Sequence, residues 1–539
     1  MPASDAAAST SGVVDTPAKP KALGLRDVWR EFCRSTTMHG LRYLVDEGRT
    51  TFDKAFWGVS LLITLVCCTA LLVHMYERWL ISPAMATNEL KMQAVWEVPF
   101  PAVTICPDTK FKNSVFNLSE AKRRLSHDPD DRDSLQRNVD TVLLHCDDAS
   151  AGRCATLTDD DTDFLTSIAP QIGDTVRGFQ WRKSRYTNLF GANETGFELW
   201  TPILTDEGLC FSFNILSPDD LFTESAVKLP SSEEYGRQPL RYWNLSRGYS
   251  ADAPLESTFP ARAMKGAIGG LGVLLFAPVG DMDYTCRGPM QGFKIAVHSP
   301  AEVPQMQQRT RSMLGEELLI NVKPSTISTS EELRYYKPQD RRCFFPEERQ
   351  LEYFKVYTKR NCELECSSNF SRAHCGCVAF FMPRSAGVPV CGPAKLECLR
   401  EAAHQLEEQE LVGERELLAG RQPTAGCNCL ADCVALEYDV ELYRATFDWE
   451  RSVGAWIFNG SDFIGMDCAR VTINVKDNAI ISNQRSELYS LEKFIAACAG
   501  VLGLFTGFSL INIIEAAFFV SWGLVAKIYH KAKHALCRS

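Results

Sequence analysis

The 539 residues contain no G-x-S-x-G, H-E-x-x-H or G-x-x-x-x-G-K-[ST] in the setting its chemistry needs. Hydrolase, zinc-peptidase and nucleotide chemistry have no candidate, and an enzyme is not expected. An excess of positive charge is also missing. The net charge is −10, and residues 55–493 hold 45 basic against 59 acidic groups, a balance that gathers cations and disfavours nucleic-acid partners. The first 54 residues lack an apolar core, so no secretory signal is expected ahead of Ala55 and the first apolar segment must itself direct insertion. No apolar segment is rich in arginine, which leaves voltage sensing without a candidate.

No Asp, Glu, Lys or Arg occurs in the 22 residues from Ala55 to Tyr76, a length that spans roughly 33 Å as a helix and crosses a membrane once. A second apolar segment, from Phe494 to Ala526, is long enough to cross with tilt yet holds the lone acid Glu515 and several glycines. Arg30, Arg34, Arg42, Arg49 and Lys54 precede the first span; Lys527, Lys531, Lys533 and Arg538 follow the second. Positive flanks on the same side predict cytoplasmic termini. The expected layout is a cytoplasmic N-terminus (1–54), a span (55–76), an extracellular section (77–493), a second span (494–526) and a cytoplasmic C-terminus (527–539), in a multi-pass protein of the plasma membrane. All five Asn-X-Ser/Thr acceptors, Asn117, Asn193, Asn244, Asn369 and Asn459, fall in the outer section, as do 16 of the 21 cysteines. Glycans and disulfides are expected there. Cys33, Cys67, Cys68, Cys498 and Cys537 read as free thiols or small apolar residues.

Within the outer section, apolar and β-branched runs read as strands at Val98–Pro107, Gly208–Leu216, Gly292–Ser299, Leu436–Tyr443 and Ala469–Asp477. Gly266–Phe276 is too short to cross and reads as buried core. From Pro107 to Cys210 the chain is polar and charged, with acid runs at 128–133 and 159–163, and reads as a peripheral, loop-rich lobe. Ten cysteines then crowd into residues 343–433, around a helical stretch from Leu396 to Leu418. His374 beside Cys375 resembles half a zinc site. Asn369, a glycan acceptor inside the same stretch, places these thiols in an oxidising compartment, so disulfides are expected and no metal.

In the second span Ala496, Gly500, Gly503 and Gly507 recur on one helical stripe. Alone, that stripe means helix packing. Gly507-Phe508-Ser509 at mid-span, the amide of Asn512 and the ionisable Glu515 add backbone irregularity and polar groups that a lipid-facing anchor does not need. Together they describe a path for cations. One or two helices enclose no hole, so several subunits must surround an axis; carbonyls and hydroxyls of Gly507 and Ser509 would replace part of an ion's hydration shell, with Asn512 and Glu515 attracting cations. The alternative is a non-conducting two-pass receptor or regulatory subunit; an ATP-gated channel shares the two-span layout.

These segments resemble the degenerin/epithelial sodium channel family, most closely its insect pickpocket branch. His39-Gly40 is similar to the family's His-Gly gating motif, FPAVTIC (Phe100–Cys106) to its post-span strand, and GFKIAVHSPAEVP (Gly292–Pro304) to a palm segment. Arg341–Pro383 with CNCLADC (Cys427–Cys433) is similar to its cysteine-rich thumb, and GLFTGFSLINIIE (Gly503–Glu515) to its pore segment. The resemblance implies a two-pass membrane protein with a hand-like, disulfide-rich α+β extracellular domain, assembled as a homotrimer or as a heterotrimer with related subunits in the lipid bilayer. It implies a non-voltage-gated, amiloride-sensitive pore for sodium or mixed cations, opened by an extracellular ligand, peptide or force, with no cofactor beyond the permeant Na+. Gly507, Phe508 and Ser509 are then the filter, and Ala496 or Ala497 the gating "degenerin" position. Family order pairs Cys106 with Cys210, Cys343 with Cys433, Cys362 with Cys429, Cys366 with Cys427, Cys375 with Cys398 and Cys377 with Cys391. Cys146 with Cys154 and Cys286 with Cys468 follow only by elimination. Phe508 is bulkier than the residue many relatives carry, which puts selectivity in question more than conduction. The acid-sensing branch has an Asp in the segment matching Ala496–Gly500; none is present here, and proton gating is not predicted.

Overall fold

The uncharged apolar run Ala55–Tyr76 forms the body of one long helix, Thr51–Ile81, of 31 residues. It encloses the expected first span, and Phe56, Leu62, Ile63, Val66 and Val73 all stand exposed on it; its length and composition suffice to cross a membrane. The second apolar segment forms two helices, Leu491–Thr506 and Leu510–Ser521, bent by 69° at the break between them. As a pair they have the length and composition of one further span. The computed structural model describes residues 25–521 and 525, apart from 82–84, 128–131, 147–151, 183, 188–198, 229–239, 256–258, 267–268, 285, 308, 420, 422–424, 457–464 and 488–490.

The chain divides into two compact units, Met1–Pro83 with Glu487–Ser539, and Ala84–Ser486. In the first, the helix Leu25–Ser35 and the short turn Leu41–Val45 precede the long helix. Phe32 meets Phe519 edge-on at 5.7 Å, and Tyr43 stacks on Trp57 at 4.3 Å. Near the other end of the long helix, Trp79 stacks on Phe494 at 5.2 Å. Trp and Tyr at both ends of an apolar helix suit the two membrane–water interfaces.

The second unit is built on two sheets. Five antiparallel strands run in the order Thr310–Met313, Gly292–His298, Ala102–Pro107, Gly208–Phe213, Trp200–Thr205. Ala102–Pro107 and Gly208–Phe213 are buried throughout, which is why both read as near-continuous apolar runs. In the larger sheet the 14-residue strand Glu316–Thr329 pairs antiparallel with Ala435–Thr446 along one edge. Its other edge runs parallel first to Met466–Val475 and then to Ala479–Ser486. The stretch Gly266–Phe276, expected as buried core, runs into the central strand Leu271–Pro278, which pairs with Met466–Val475 and Val176–Trp181. The unit's first and last strands, Met85–Ala94 and Ala479–Ser486, pair antiparallel with Met85 opposite Ser486. The two ends of the unit, each next in sequence to one of the two apolar segments, therefore lie side by side.

The segment between Pro107 and Cys210 departs from the loop-rich expectation. It holds the helices Leu118–His127, Arg132–His145 and Asp159–Ile168. Leu118, Ala121, Val139, Val142, Leu143 and Ile168 close a small core of their own with Phe111. The acid run at 159–163 is a helix start: the Thr158 backbone N–H and hydroxyl both donate to Asp161 Oδ2, at 2.7 and 2.8 Å, and three acids occupy the first turn, where the helix dipole favours them.

Seven disulfides staple the unit. Five of them, Cys343–Cys433, Cys362–Cys429, Cys366–Cys427, Cys375–Cys398 and Cys377–Cys391, surround the helices Lys359–Cys375 and Leu396–Leu418. Cys106–Cys210 joins adjacent strands of the smaller sheet. The two pairings reached by elimination are corrected: Cys146 is bonded to Cys286, and Cys154 and Cys468 are free thiols. Packing explains the exchange, because Cys146 follows the Arg132–His145 helix into the small core that also contains Cys286. Cys154 is held elsewhere, its N–H donating to Asp140 Oδ2 at 2.8 Å, while Cys468 lies fully buried beside Phe276. Asn117, Asn244 and Asn369 are exposed; Asn193 and Asn459 lie outside the described residues.

Candidate functional site

The break in the second apolar segment is set by one glycine and capped by two polar side chains. Gly507 closes the last turn of the first half-helix, its N–H donating to the Gly503 carbonyl at 2.9 Å. It then enters the left-handed region at φ 66°, where a β-carbon costs about 1–2 kcal/mol. The second half-helix opens with Ser509 as its cap. Asn512 Oδ1 accepts the Ser509 backbone N–H at 2.8 Å and the Ser509 hydroxyl at 2.7 Å, and the Asn512 N–H donates to the Ser509 carbonyl at 3.0 Å. The Asn512 side chain returning to the Ser509 N–H is one half of a capping box, with an amide in the place usually held by Glu or Gln.

Two further groups of contacts come from the segment ahead of the first span. Asn512 Nδ2 donates to Thr37 Oγ1 at 2.9 Å, and at 3.3 Å to Thr36 Oγ1 and to Glu515 Oε2. On the other flank of the break, the His39 backbone N–H donates to the Thr506 carbonyl at 2.9 Å. The His39 ring closes off Gly507, since a β-carbon there would lie 2.9 Å from it. Gly40, at φ 86°, is equally confined, with Leu61 Cδ2 at 2.9 Å from where its β-carbon would stand. Thr36 to Gly40 thus buttress Thr506, Gly507 and Asn512.

Each residue singled out in the sequence has a definite place here. Ser509 is exposed, Phe508 and Glu515 are half-buried, Ala496 is exposed and Ala497 half-buried on the first half-helix. Asn512, read from the sequence as an amide attracting cations, is 1% exposed, with both ends of its amide engaged inside the unit. Its contribution is to the shape of the break. Thr36 and Thr37 escaped sequence reasoning because nothing local connects them to residue 512. The Ser509-x-x-Asn512 spacing was the available signal, being a variant of the capping pattern. Chemically, the arrangement offers the carbonyl end of a helix dipole and an exposed hydroxyl at one bend, groups suited to a partly dehydrated cation.

Residues 32–519 match the family described as "Amiloride-sensitive sodium channel". The chain is 27% identical to Pickpocket protein 28 of Drosophila melanogaster over 521 residues, covering 91% of this chain and 77% of that protein. It is 21% identical to the sodium channel protein Nach of Drosophila ananassae, covering 94% and 89%. With the human bile acid-sensitive ion channel it shares 22% identity, covering 90% and 84%.

Proposed function

The chain belongs to the amiloride-sensitive sodium channel family, a family of ion channels, and from that premise we propose that it is a pore-forming subunit whose residues Gly507, Phe508 and Ser509 select the ion. The observation that carries this reading is the break itself: a left-handed glycine and a capped serine where an anchor would need only continuous helix. Three subunits, identical or related, would place three such breaks around one axis, with both termini in the cytoplasm and Glu515 drawing cations to the inner mouth. The pore conducts Na+ or mixed cations, is blocked by amiloride and responds to no voltage sensor.

Opening is assigned to the extracellular unit. Its first and last strands pair with each other, so a ligand, peptide or force that displaces this ribbon pulls on both spans at once. Ala496 and Ala497, small residues ten or eleven positions before Gly507, are the proposed gate.

Voltage-clamp recording of the full chain tests the assignment. Gly507→Ala and Ser509→Ala should shift the Na+/K+ reversal potential, amiloride should block the current, and a bulky residue at Ala496 or Ala497 should raise the resting current by propping the gate. A clear current whose permeability ratios ignore both filter substitutions would reject the assignment.

A further inference from the structure

Ser509 is useful to a cation only if its oxygen lone pairs are free, and that depends on where its proton goes. In the structure the Ser509 hydroxyl donates to Asn512 Oδ1 at 2.7 Å. The Ser509 backbone N–H, which can only donate, meets the same oxygen at 2.8 Å and so fixes which end of the amide is oxygen. The other end of the amide is anchored by the hydroxyls of Thr37 and Thr36, at 2.9 and 3.3 Å, and by Glu515 Oε2 at 3.3 Å. Thr36 is buried with Asn512, at 8% and 1% exposure.

We propose that Asn512, Thr36 and Thr37 form a positioning clasp for ion selection, off the ion's path, that commits the Ser509 proton inward and presents the hydroxyl oxygen outward. This rests on the reading of Gly507–Ser509 as the filter. It assigns to a segment before the first span a share in choosing the ion, through a chain of three hydrogen-bonded side chains and no contact with the ion itself. Loosening the clasp frees Asn512 to leave Ser509, whose hydroxyl then turns to whatever acceptor is near. The ion loses a fixed ligand.

The test uses the full chain, recorded under bi-ionic conditions with surface biotinylation in parallel. Thr36→Val with Thr37→Val keeps side-chain volume and removes both acceptors; Thr36→Ser with Thr37→Ser retains them; Asn512→Leu removes the amide. The valine pair and Asn512→Leu should shift the Na+/K+ permeability ratio in the same direction, by about two- to tenfold, the change one neutral hydrogen bond makes in an equilibrium constant. The serine pair should keep the original ratio. If Asn512→Leu does not reach the surface, the valine pair, which keeps the Asn512 amide and removes only its anchors, decides alone. A valine pair that reaches the surface and conducts with the original ratio overturns the clasp. A purely structural role would lower surface number or current without moving the reversal potential, and that result also overturns it. Gly507→Ala and Ser509→Ala are recorded beside them: if these shift the ratio and the valine pair does not, the filter stands and the clasp falls.

Discussion

The His39 backbone N–H donates to the Thr506 carbonyl at 2.9 Å, at the last residue of the first half-helix. A helix leaves its final carbonyls without intrahelical partners; here a residue from before the first span supplies one. The same residue's ring occupies the space where a β-carbon on Gly507 would go.

Gly507→Ala therefore meets two obstacles. Left-handed backbone at φ 66° costs alanine about 1–2 kcal/mol, and the new methyl must move the His39 ring. We expect a reduced conductance and an altered permeability ratio. His39→Ala, which keeps the backbone bond and clears the ring, should relieve the second obstacle only. In a double-mutant cycle read by single-channel conductance, Gly507→Ala with His39→Ala should lose less than the two single changes added together.

Glu207 in the extracellular unit is the hub of a buried charge cluster. Lys110 Nζ lies 2.9 Å from Glu207 Oε2, Lys294 touches the same oxygen, and Arg287 and Arg309 approach to 3.5 Å. Burial alone would raise the Glu207 carboxyl; Lys110 and Lys294 outweigh it and hold it at about 2. Glu207→Gln takes the shared carboxylate from two ammonium groups, each 3% exposed, leaving Lys294 with Asp108 at 3.6 Å and Lys110 with the Pro107 carbonyl at 2.9 Å, and breaking a buried pair costs about 3–5 kcal/mol. The expected outcome is a lower thermal midpoint of the solubilised protein and less of it at the surface. Lys110→Met with Glu207→Gln should recover part of that loss.

A pH effect of the opposite sign to ordinary acid unfolding is expected from Glu302 and Asp432. Both line a cavity of about 480 Å³, and burial raises each carboxyl to about 7. Their folded values lie above the usual carboxylate range, so the folded unit binds more protons than the unfolded chain between about pH 4 and 7. The stability they contribute is present below the unfolded values and is lost as pH rises through about 7. Thermal midpoints should rise when pH is lowered from 7.5 to 6, and Glu302→Gln should flatten that rise. A midpoint that falls over this interval in both proteins would contradict the assignment.

How much of this could be read beforehand depends on sequence distance. The helix Leu396–Leu418 begins and ends where its apolar spacing does, and the strands around Ala102–Pro107 and Gly208–Phe213 announce themselves as buried runs. The helices after Pro107 were missed because acid runs look like solvated loop, whereas Asp159 to Asp161 here serve a helix N-terminus. The capping of Ser509 by Asn512 is local and legible; its continuation to Thr37 crosses 475 positions, and no periodicity or spacing reports a contact of that range.

The cysteines give the last prediction, and elimination misled there for the same reason. Cys146 and Cys154 are close in sequence, but the bond formed, Cys146–Cys286, is separated by 140 positions. In the chain-entropy view a loop of that size restricts the unfolded state by about 5 kcal/mol, so Cys286→Ser should reduce maturation far more than Cys154→Ser. Peptide mapping without reduction should recover a Cys146–Cys286 cross-link. Alkylation should separate the two free thiols of the Ala84–Ser486 unit: Cys154 is partly exposed and Cys468 fully buried. Burial also pushes the Cys154 thiol up to about 11, so labelling at neutral pH should be slow and should quicken as pH rises toward that value. Cys468 should label only once the strand Met466–Val475 is unfolded. Recovery of a Cys146–Cys154 peptide instead would mean a different packing of the small helical core, because the bond that ties Cys286 into the cluster with Cys146 would be gone.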